Sequence, residues 1–447
     1  MVFVLDQHKK PLMPCSEKRA RLLLERGRAR VVRIAPFTIR LMDRLQEHSV
    51  LQALRVKLDP GSKTTGVAIT LDGAHGTKAI FLGEIVHKPG IKARLDTRRS
   101  LRHGRRYRKT RYRPARFLNR RRPKGWLAPS LEARVDQTRH AIDKIRAHTP
   151  IIAISVEHVR FDTQKLENPE IAGVEYQQGT LLGYEVREYL LEKWGRACVY
   201  CGATKVPLQV EHIIPKRRGG SNRISNLTLA CEPCNLTKGT QTAAEFGHPD
   251  VQAQARKPLQ DAAFMNATRW RLYEQLKATG LPLEGGSGGR TKMHRIQHEL
   301  PKEHYYDALC VGKSTPEAFI DFPVYVQIWS AKGRGHRQRC RTDRYGFPTR
   351  HLSRQKQHFG FHTGDFVQAV ISHGKYTGTW TGRATVKASG QIHIVTTTDV
   401  HPTTSHRHCR VLQRGNGWVY TQKLSNQERG QAASSPGLKA EVSAAKF

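Results

Sequence analysis

Leu54, Val56 and Leu58 alternate with polar residues in "ALRVKLDPGSKTTGVAITL", residues 53–71. A period of two marks a half-buried strand, and Asp59-Pro60-Gly61-Ser62 then makes a turn before a second strand. The stretch predicts a hairpin with a carboxylate at its tip. "PIIAISVEHVRF", residues 150–161, is instead an unbroken apolar run up to Glu157. Such a run predicts a strand buried on both faces, as in a mixed α/β sheet. Residues 1–50 read as a short strand, a turn at "PLMPCS", a helix over Glu17–Arg26 and another strand near Arg30–Arg40. Helical patterning marks Ser130–Ala147, Leu181–Trp194 and "DAAFMNATRWRLYEQLKATG". "EGGSGG" reads as a flexible turn, and His304-x-x-Asp307 opens a further helix, placing both side chains on one helix face. From about Phe322, short strands and Gly-rich turns suggest a small β-barrel or sandwich. Residues 429–447 have the composition of a disordered tail.

Composition changes this picture in two ways. Across 447 residues, 76 Lys and Arg stand against 37 Asp and Glu, a formal net charge of +39. That excess calls for a polyanion, and nucleic acid is the natural one; a solvated basic surface is the bland alternative. No apolar run approaches the roughly 20 residues of a spanning helix, and "MVFVLDQHKKPLMP" is too short in its apolar part for a secretory signal. The expectation is a cytoplasmic, nucleoid-associated prokaryotic protein with no membrane partner. Second, four of the eight cysteines form two C-x-x-C pairs, while Cys15, Cys310, Cys340 and Cys409 are scattered. This usage indicates metal binding plus free thiols in a reducing compartment.

The charge is concentrated in residues 92–124, where 16 of 33 residues are Lys or Arg and one is acidic. The part before Pro114 reads as a helix of roughly 33 Å at about 1.5 Å per residue. Charged on every face, it has no core to pack on, so an enclosing polyanion would hold it. Arg98, Arg99, Arg102, Arg105, Arg106, Arg108, Arg111 and Arg113 are its candidate phosphate contacts. Leu95, Leu101, Tyr107 and Tyr112 interleave with them. A disordered basic arm or localisation signal is the alternative.

Cys198-x-x-Cys201 and Cys231-x-x-Cys234 offer four thiolates to a structural Zn2+, which would staple a module too small for its own core. Between the pairs lies "VEHIIPKRRGGSNRISNLTLA", and Asn235 follows the last cysteine. The ordered set resembles the HNH nuclease motif, the ββα-metal fold. The resemblance implies that His212 deprotonates the attacking water and Asn226 braces the loop. Glu211 and Asn235 would hold one Mg2+ at the scissile phosphate. Glu rather than the commoner Asp at 211 departs from the pattern. A base titrating near neutrality and a hard cation on oxygen ligands are what phosphodiester cleavage requires.

Asp59, Glu157, His304 and Asp307 form a second candidate set. Carboxylates gathered at one sheet edge can hold two Mg2+ ions about 4 Å apart for in-line attack. "KLDPGSKTTGVAI", "ISVEHV" and "HYYDALCVG" resemble the three split segments of a RuvC-type RNase H fold. With the arginine-rich segment after the first and an HNH module between the second and third, the order resembles that of the IscB family, transposon-encoded relatives of CRISPR type II effector nucleases. "KKPLMPC" matches the tetrapeptide of that family's PLMP domain, and "GSGGRTKMHR" also resembles it.

This resemblance implies an α/β multidomain chain: a split RuvC-like fold, an inserted zinc-stapled HNH domain, an arginine-rich bridge helix and a β-rich C-terminal domain. The implied boundaries are PLMP 1–50, RuvC-I 51–90, bridge helix 91–124, RuvC-II 125–185, HNH 186–250, RuvC-III 251–321 and a target- or RNA-interacting domain 322–428. It also implies an RNA-guided DNA endonuclease, monomeric in a ribonucleoprotein with a noncoding omega RNA. HNH would cut the guide-paired strand and RuvC the displaced strand of a duplex carrying an adjacent motif. Gln368, Lys375 and the arginines near 336–344 are candidate readers of that motif. The rivals are a protein-guided endonuclease of homing or junction-resolving type and a non-cleaving RNA- or DNA-binding protein.

Overall fold

The computed structural model of the protein describes residues 1–73, 75–106, 126–158, 187, 190–191, 193–220, 224–256, 262–333, 338, 340–396 and 400–425. The expected tail and the second half of the basic segment, with Arg108, Arg111 and Arg113, lie outside the described residues. Two compact units emerge, residues 1–157 with 271–447, and residues 158–270.

The first unit opens with a small sheet. β1 (Val2–Leu5) pairs with β2 (Pro11–Cys15) and with β4 (Thr38–Leu41), which in turn pairs with β3 (Ala29–Arg33). α1 (Glu17–Glu25) follows β2, and the Ser16 hydroxyl accepts from Arg19 N–H at its start. Two expectations need correction. "PLMPC" is a strand rather than a turn, its two prolines tolerated because β2 is the sheet's edge. The single strand near Arg30–Arg40 is two antiparallel strands, β3 and β4.

The main sheet has seven strands: β5 (Ala53–Asp59), β6 (Thr64–Gly73), β7 (Gly76–Val86), β8 (Ile151–Glu157), β11 (Leu283–Gly286), β12 (Tyr325–Ala331) and β22 (Trp418–Leu424). Their order is β11-β8-β5-β6-β7-β12-β22. β5 and β6 form the predicted hairpin, β7 extends it into an antiparallel meander, and β8 lies parallel to β5 and to β11. One face packs Leu54, Val56 and Leu58 against Val135, Ile142 and Ile145 of α3 (Pro129–Arg146). The other packs Ala68 and Leu82 against Tyr305, Tyr306 and Leu309 of a short helix at residues 304–309. Both faces are therefore covered, including the face of β5 that alternation assigns to polar residues. Lys57 there is fully buried, its ammonium donating to Val311 O (3.0 Å) and Thr315 Oγ1 (3.1 Å).

α2 (Ile91–Arg106) is the described part of the basic segment, and none of its residues is buried. "EGGSGG" is not a free turn. Glu284-Gly285-Gly286 belongs to β11, and Ser287 N-caps α7 (Gly288–Gln297) by accepting from Arg290 N–H. The β-rich region also differs from a self-contained barrel, because its first and last strands, β12 and β22, extend the main sheet. Between them lie the hairpins β13–β14 (Cys340–Thr342, Pro348–His351) and β15–β16 (Gln357–His358, Phe361–His362). A five-stranded sheet follows: β17 (Phe366–Ile371), β18 (Gly378–Val386), β19 (Gln391–Val395), β20 (Thr403–Ser405) and β21 (Cys409–Gln413).

The second unit holds β9 (Leu208–His212) antiparallel to β10 (Leu227–Cys231), then α4 (Glu232–Lys238) and α5 (Asp250–Arg256). Its core gathers Leu190, Leu208, Ile213, Leu227 and Leu229. α6 (Ala262–Lys277) completes the helices before α7, and α8 is His304–Leu309. Among the described residues, no helix is long and apolar enough to cross a membrane.

Candidate active site and metal centre

Parallel pairing sets Leu58 beside Val156, so Asp59 and Glu157 end neighbouring strands at the same sheet edge. α8 supplies the other two members. Its first residue lies so close to β6 that a Cβ on Gly66 would stand 1.8 Å from His304 O. Only glycine permits that approach, and it brings His304 Nδ1 to 2.9 Å from Asp59 Oδ2. This hydrogen bond raises the His304 pKa against the opposing effect of burial. Asp307, one turn on, forms an ion pair with Arg295, whose Nε lies 2.8 Å from Oδ1; burial and the Asp59 charge still raise its pKa. Burial, then Asp59, then Asp307 push Glu157 up to about 8, although a hydrogen bond from Thr291 opposes the shift. α7 also approaches closely here, with a Cβ on Gly288 only 3.0 Å from Glu157 Oε1.

The structure thus brings together all four residues that the sequence singled out. Burial first, and like charge second, disfavour the ionised forms of Glu157 and Asp307, a cost that a bound cation would relieve, and hard carboxylate oxygens suit Mg2+. The set is more open than the cysteine cluster, the one group among the described residues whose ligand atoms all lie within 4.8 Å.

Sequence reasoning missed the supports. Glu284 accepts from Lys313 N–H (2.6 Å), Ser314 N–H (3.1 Å), Ser155 Oγ (2.7 Å) and Ser314 Oγ (2.6 Å), with Arg55 at 3.6 Å. Together with Lys57 it fastens the loop that leaves α8. The available signal was a charged residue inside an otherwise apolar or Gly-rich strand.

In the second unit, Cys198, Cys201, Cys231 and Cys234 converge, with Cys201 Sγ and Cys231 Sγ 3.6 Å apart. A tetrahedral Zn2+ with bonds of about 2.3 Å holds its sulfurs about 3.8 Å apart, so the residues fit the ion. Burial opposes ionisation of Cys198, but backbone N–H groups accepted by its sulfur bring it down to about 7.

His212 ends β9 opposite Leu227 and is half-buried. Asn226 clamps the following loop from both sides: its Oδ1 accepts from Ile214 N–H (2.9 Å) and its Nδ2 donates to Ile214 O (3.0 Å). Gly220 is obligatory there, since a Cβ would sit 1.7 Å from Ile214 O. Glu211 is buried, and both carboxylate oxygens have partners. Lys238 Nζ donates to Oε1 at 2.6 Å and Tyr200 Oη to Oε2 at 2.8 Å. Lys238 also donates to His212 O at 3.0 Å, fixing the end of β9. Asn235 Nδ2 donates instead to Gln209 Oε1 at 2.7 Å. Glu211 and Asn235 therefore have different partners, and Lys238 already balances the Glu211 charge. Remaining lone pairs leave the carboxylate able to accept further.

On α2, Lys92, Arg94, Arg98, Arg99, Arg102, Arg105 and Arg106 accompany a lone acid, Asp96. Arg105 Nε donates to Gly346 O at 2.6 Å, and Leu101 packs on the Gly346 turn. Leu101 and Arg105 thus anchor the helix, and Lys92, Arg94, Arg98, Arg99 and Arg102 are exposed.

Two family models match the chain: that of RRXRR proteins over residues 2–179 and that of HNH endonucleases over residues 198–241. Comparison with curated proteins gives no match. Among solved structures, the chain is similar to the type II-C Cas9 enzyme from Actinomyces naeslundii at 15% identity and a TM-score of 0.18, over 59% of each chain. It is also similar to Streptococcus thermophilus Cas9 in complex with the GGAA PAM, at 11% identity and a TM-score of 0.21, over 57% of this chain and 32% of that one. The chain thus spans 59% of the first neighbour's length and 32% of the second's.

Proposed function

We propose, from the matches to the RRXRR and HNH endonuclease families, that the chain is an IscB/Cas9-like, RNA-guided DNA endonuclease with two cutting centres. One observation carries the reading: an acidic cluster assembled from three distant segments shares the chain with an HNH module built on its own cysteine staple. A non-cleaving descendant would have no reason to keep both. The net charge of +39 supports a large polyanionic partner. We assign that partner to a noncoding omega RNA, gripped in part by α2, with double-stranded DNA as substrate and a monomeric protein in the particle.

In the HNH unit, His212 accepts the proton of the attacking water. Lys238 and Asn226 hold the two sides of its loop, so the imidazole is positioned before substrate arrives. Glu211 and Asn235 would hold the Mg2+ there, with Lys238 sharing the Glu211 charge. In the main unit, which we read as RuvC-like, Asp59, Glu157 and Asp307 would hold the metal, and His304, oriented by Asp59, lies beside them. Bound Mg2+ supplies Lewis-acid stabilisation of the phosphate's developing charge. The HNH centre would cut the guide-paired strand and the acidic centre the displaced strand.

Purifying the protein from its locus without nuclease treatment and sequencing the bound nucleic acid tests the guided reading. One abundant noncoding RNA with a variable end is the expected result. Sequence-specific cutting by protein free of RNA would favour a protein-guided nuclease instead.

A further inference from the structure

β15 and β16 are joined by only two residues, Phe359 and Gly360, since Gln357 pairs with His362 and His358 with Phe361. Both loop residues have positive φ, 52° and 80°, the condition of a type I′ turn. That turn favours Asn, Asp or Gly at its first position, and a bulky aromatic there is strained. Burial does not account for the choice, because Phe359 is 55% exposed. Its ring instead stacks on His406, with centroids 4.1 Å apart and planes at 16°.

Gly390 abuts the edge of the stack. His406 N–H donates to Gly390 O at 2.8 Å, and a Cβ on Gly390 would lie 2.7 Å from His406 Nδ1 and 3.0 Å from the Phe359 ring. Three distant points of the chain therefore hold one flat aromatic surface at a hairpin tip. A groove of about 590 Å³ adjoins it, lined by Arg354, Lys356, Gln357, Phe359 and His362 among others, with no carboxylate in the lining.

A flat aromatic face rimmed by cations is the chemistry that takes an unpaired base and its phosphate. We propose that the Phe359–His406 stack is a platform for an unpaired nucleobase, with Arg354 and Lys356 taking the adjacent backbone phosphate. This rests on the nucleic-acid reading above and adds a site to it. Stacking needs only a π-face, so the base can come from the RNA or from opened DNA.

Phe359→Asn provides a test, because it removes the platform while giving the turn its favoured residue. Binding of the full chain to an unstructured RNA of about 20 nucleotides, and to DNA of the same sequence, would be measured by anisotropy in about 0.5 M salt, where phosphate contacts contribute less. Phe359→Asn should weaken binding about tenfold or more without lowering the melting temperature, while Phe359→Trp keeps wild-type affinity. Loss confined to one polymer identifies the source of the base. Wild-type affinity in Phe359→Asn for both polymers overturns the proposal. So does a fall in melting temperature alongside affinity, which would assign the stack to holding the fold. Wild-type protein that binds both polymers in low salt but neither in 0.5 M salt overturns the platform, and binding neither even in low salt overturns the nucleic-acid reading itself.

Discussion

Lys238 shows how one buried residue ties together two candidate residues of the HNH unit. It is 1% exposed, and its ammonium joins the Glu211 carboxylate to the carbonyl of His212. Removing one partner of a buried pair strands the other charge. Lys238→Met should therefore destabilise this unit by about 3–5 kcal/mol, read by denaturant unfolding with release of bound Zn2+ as a second signal. Pairing it with Glu211→Leu should recover most of the loss. Unchanged unfolding in Lys238→Met would show that the pair does not carry the strand end. The sequence displayed Asp59, Glu157, His304 and Asp307 because each stands at a local landmark, a strand end or helix start. It concealed Lys238 and Lys57, whose meaning depends on partners 27 and 254 positions away. A lysine in a helix or an alternating strand reads as solvent-facing until those partners are known.

At the scale of elements, the hairpin, the buried strand β8 and α8 were legible, since each follows from a local period or a turn. Strand pairing over long separations was not. β12 joins β7 and β22 joins β12 across intervening sheets, and their alternation fits a separate barrel equally well. The join of β7 to α3 offers a measurable consequence. His87, just past β7, is buried; Nε2 is 2.9 Å from Thr65 Oγ1 and Nδ1 is 3.1 Å from Gln137 Oε1. Burial, with Arg134 adding to it, pushes its pKa down to about 4. Unfolded His87 takes a proton near pH 6.5, so the unfolded state binds more protons between there and about pH 4. Stability from this group is complete above pH 6.5 and is lost as pH falls through that window, by at most roughly 3 kcal/mol. Melting temperatures taken across that range should fall less steeply in His87→Gln than in the wild type. Parallel curves would show that His87 does not stay neutral.

The whole molecule combines a small protein with a very large positive charge. Its main sheet carries one candidate centre, a separate zinc-stapled unit carries the other, and α2 and the C-terminal sheet offer cationic surface. The account makes the two centres independent cutters directed by one RNA. Strand-resolved cleavage of an end-labelled duplex matched to the bound RNA, in Mg2+, tests this most directly. Wild-type particles should cut both strands, Asp59→Ala only the guide-paired strand, and His212→Ala only the displaced strand, with neither cut when RNA is omitted. Cleavage without RNA, or either variant still cutting both strands, would contradict the account.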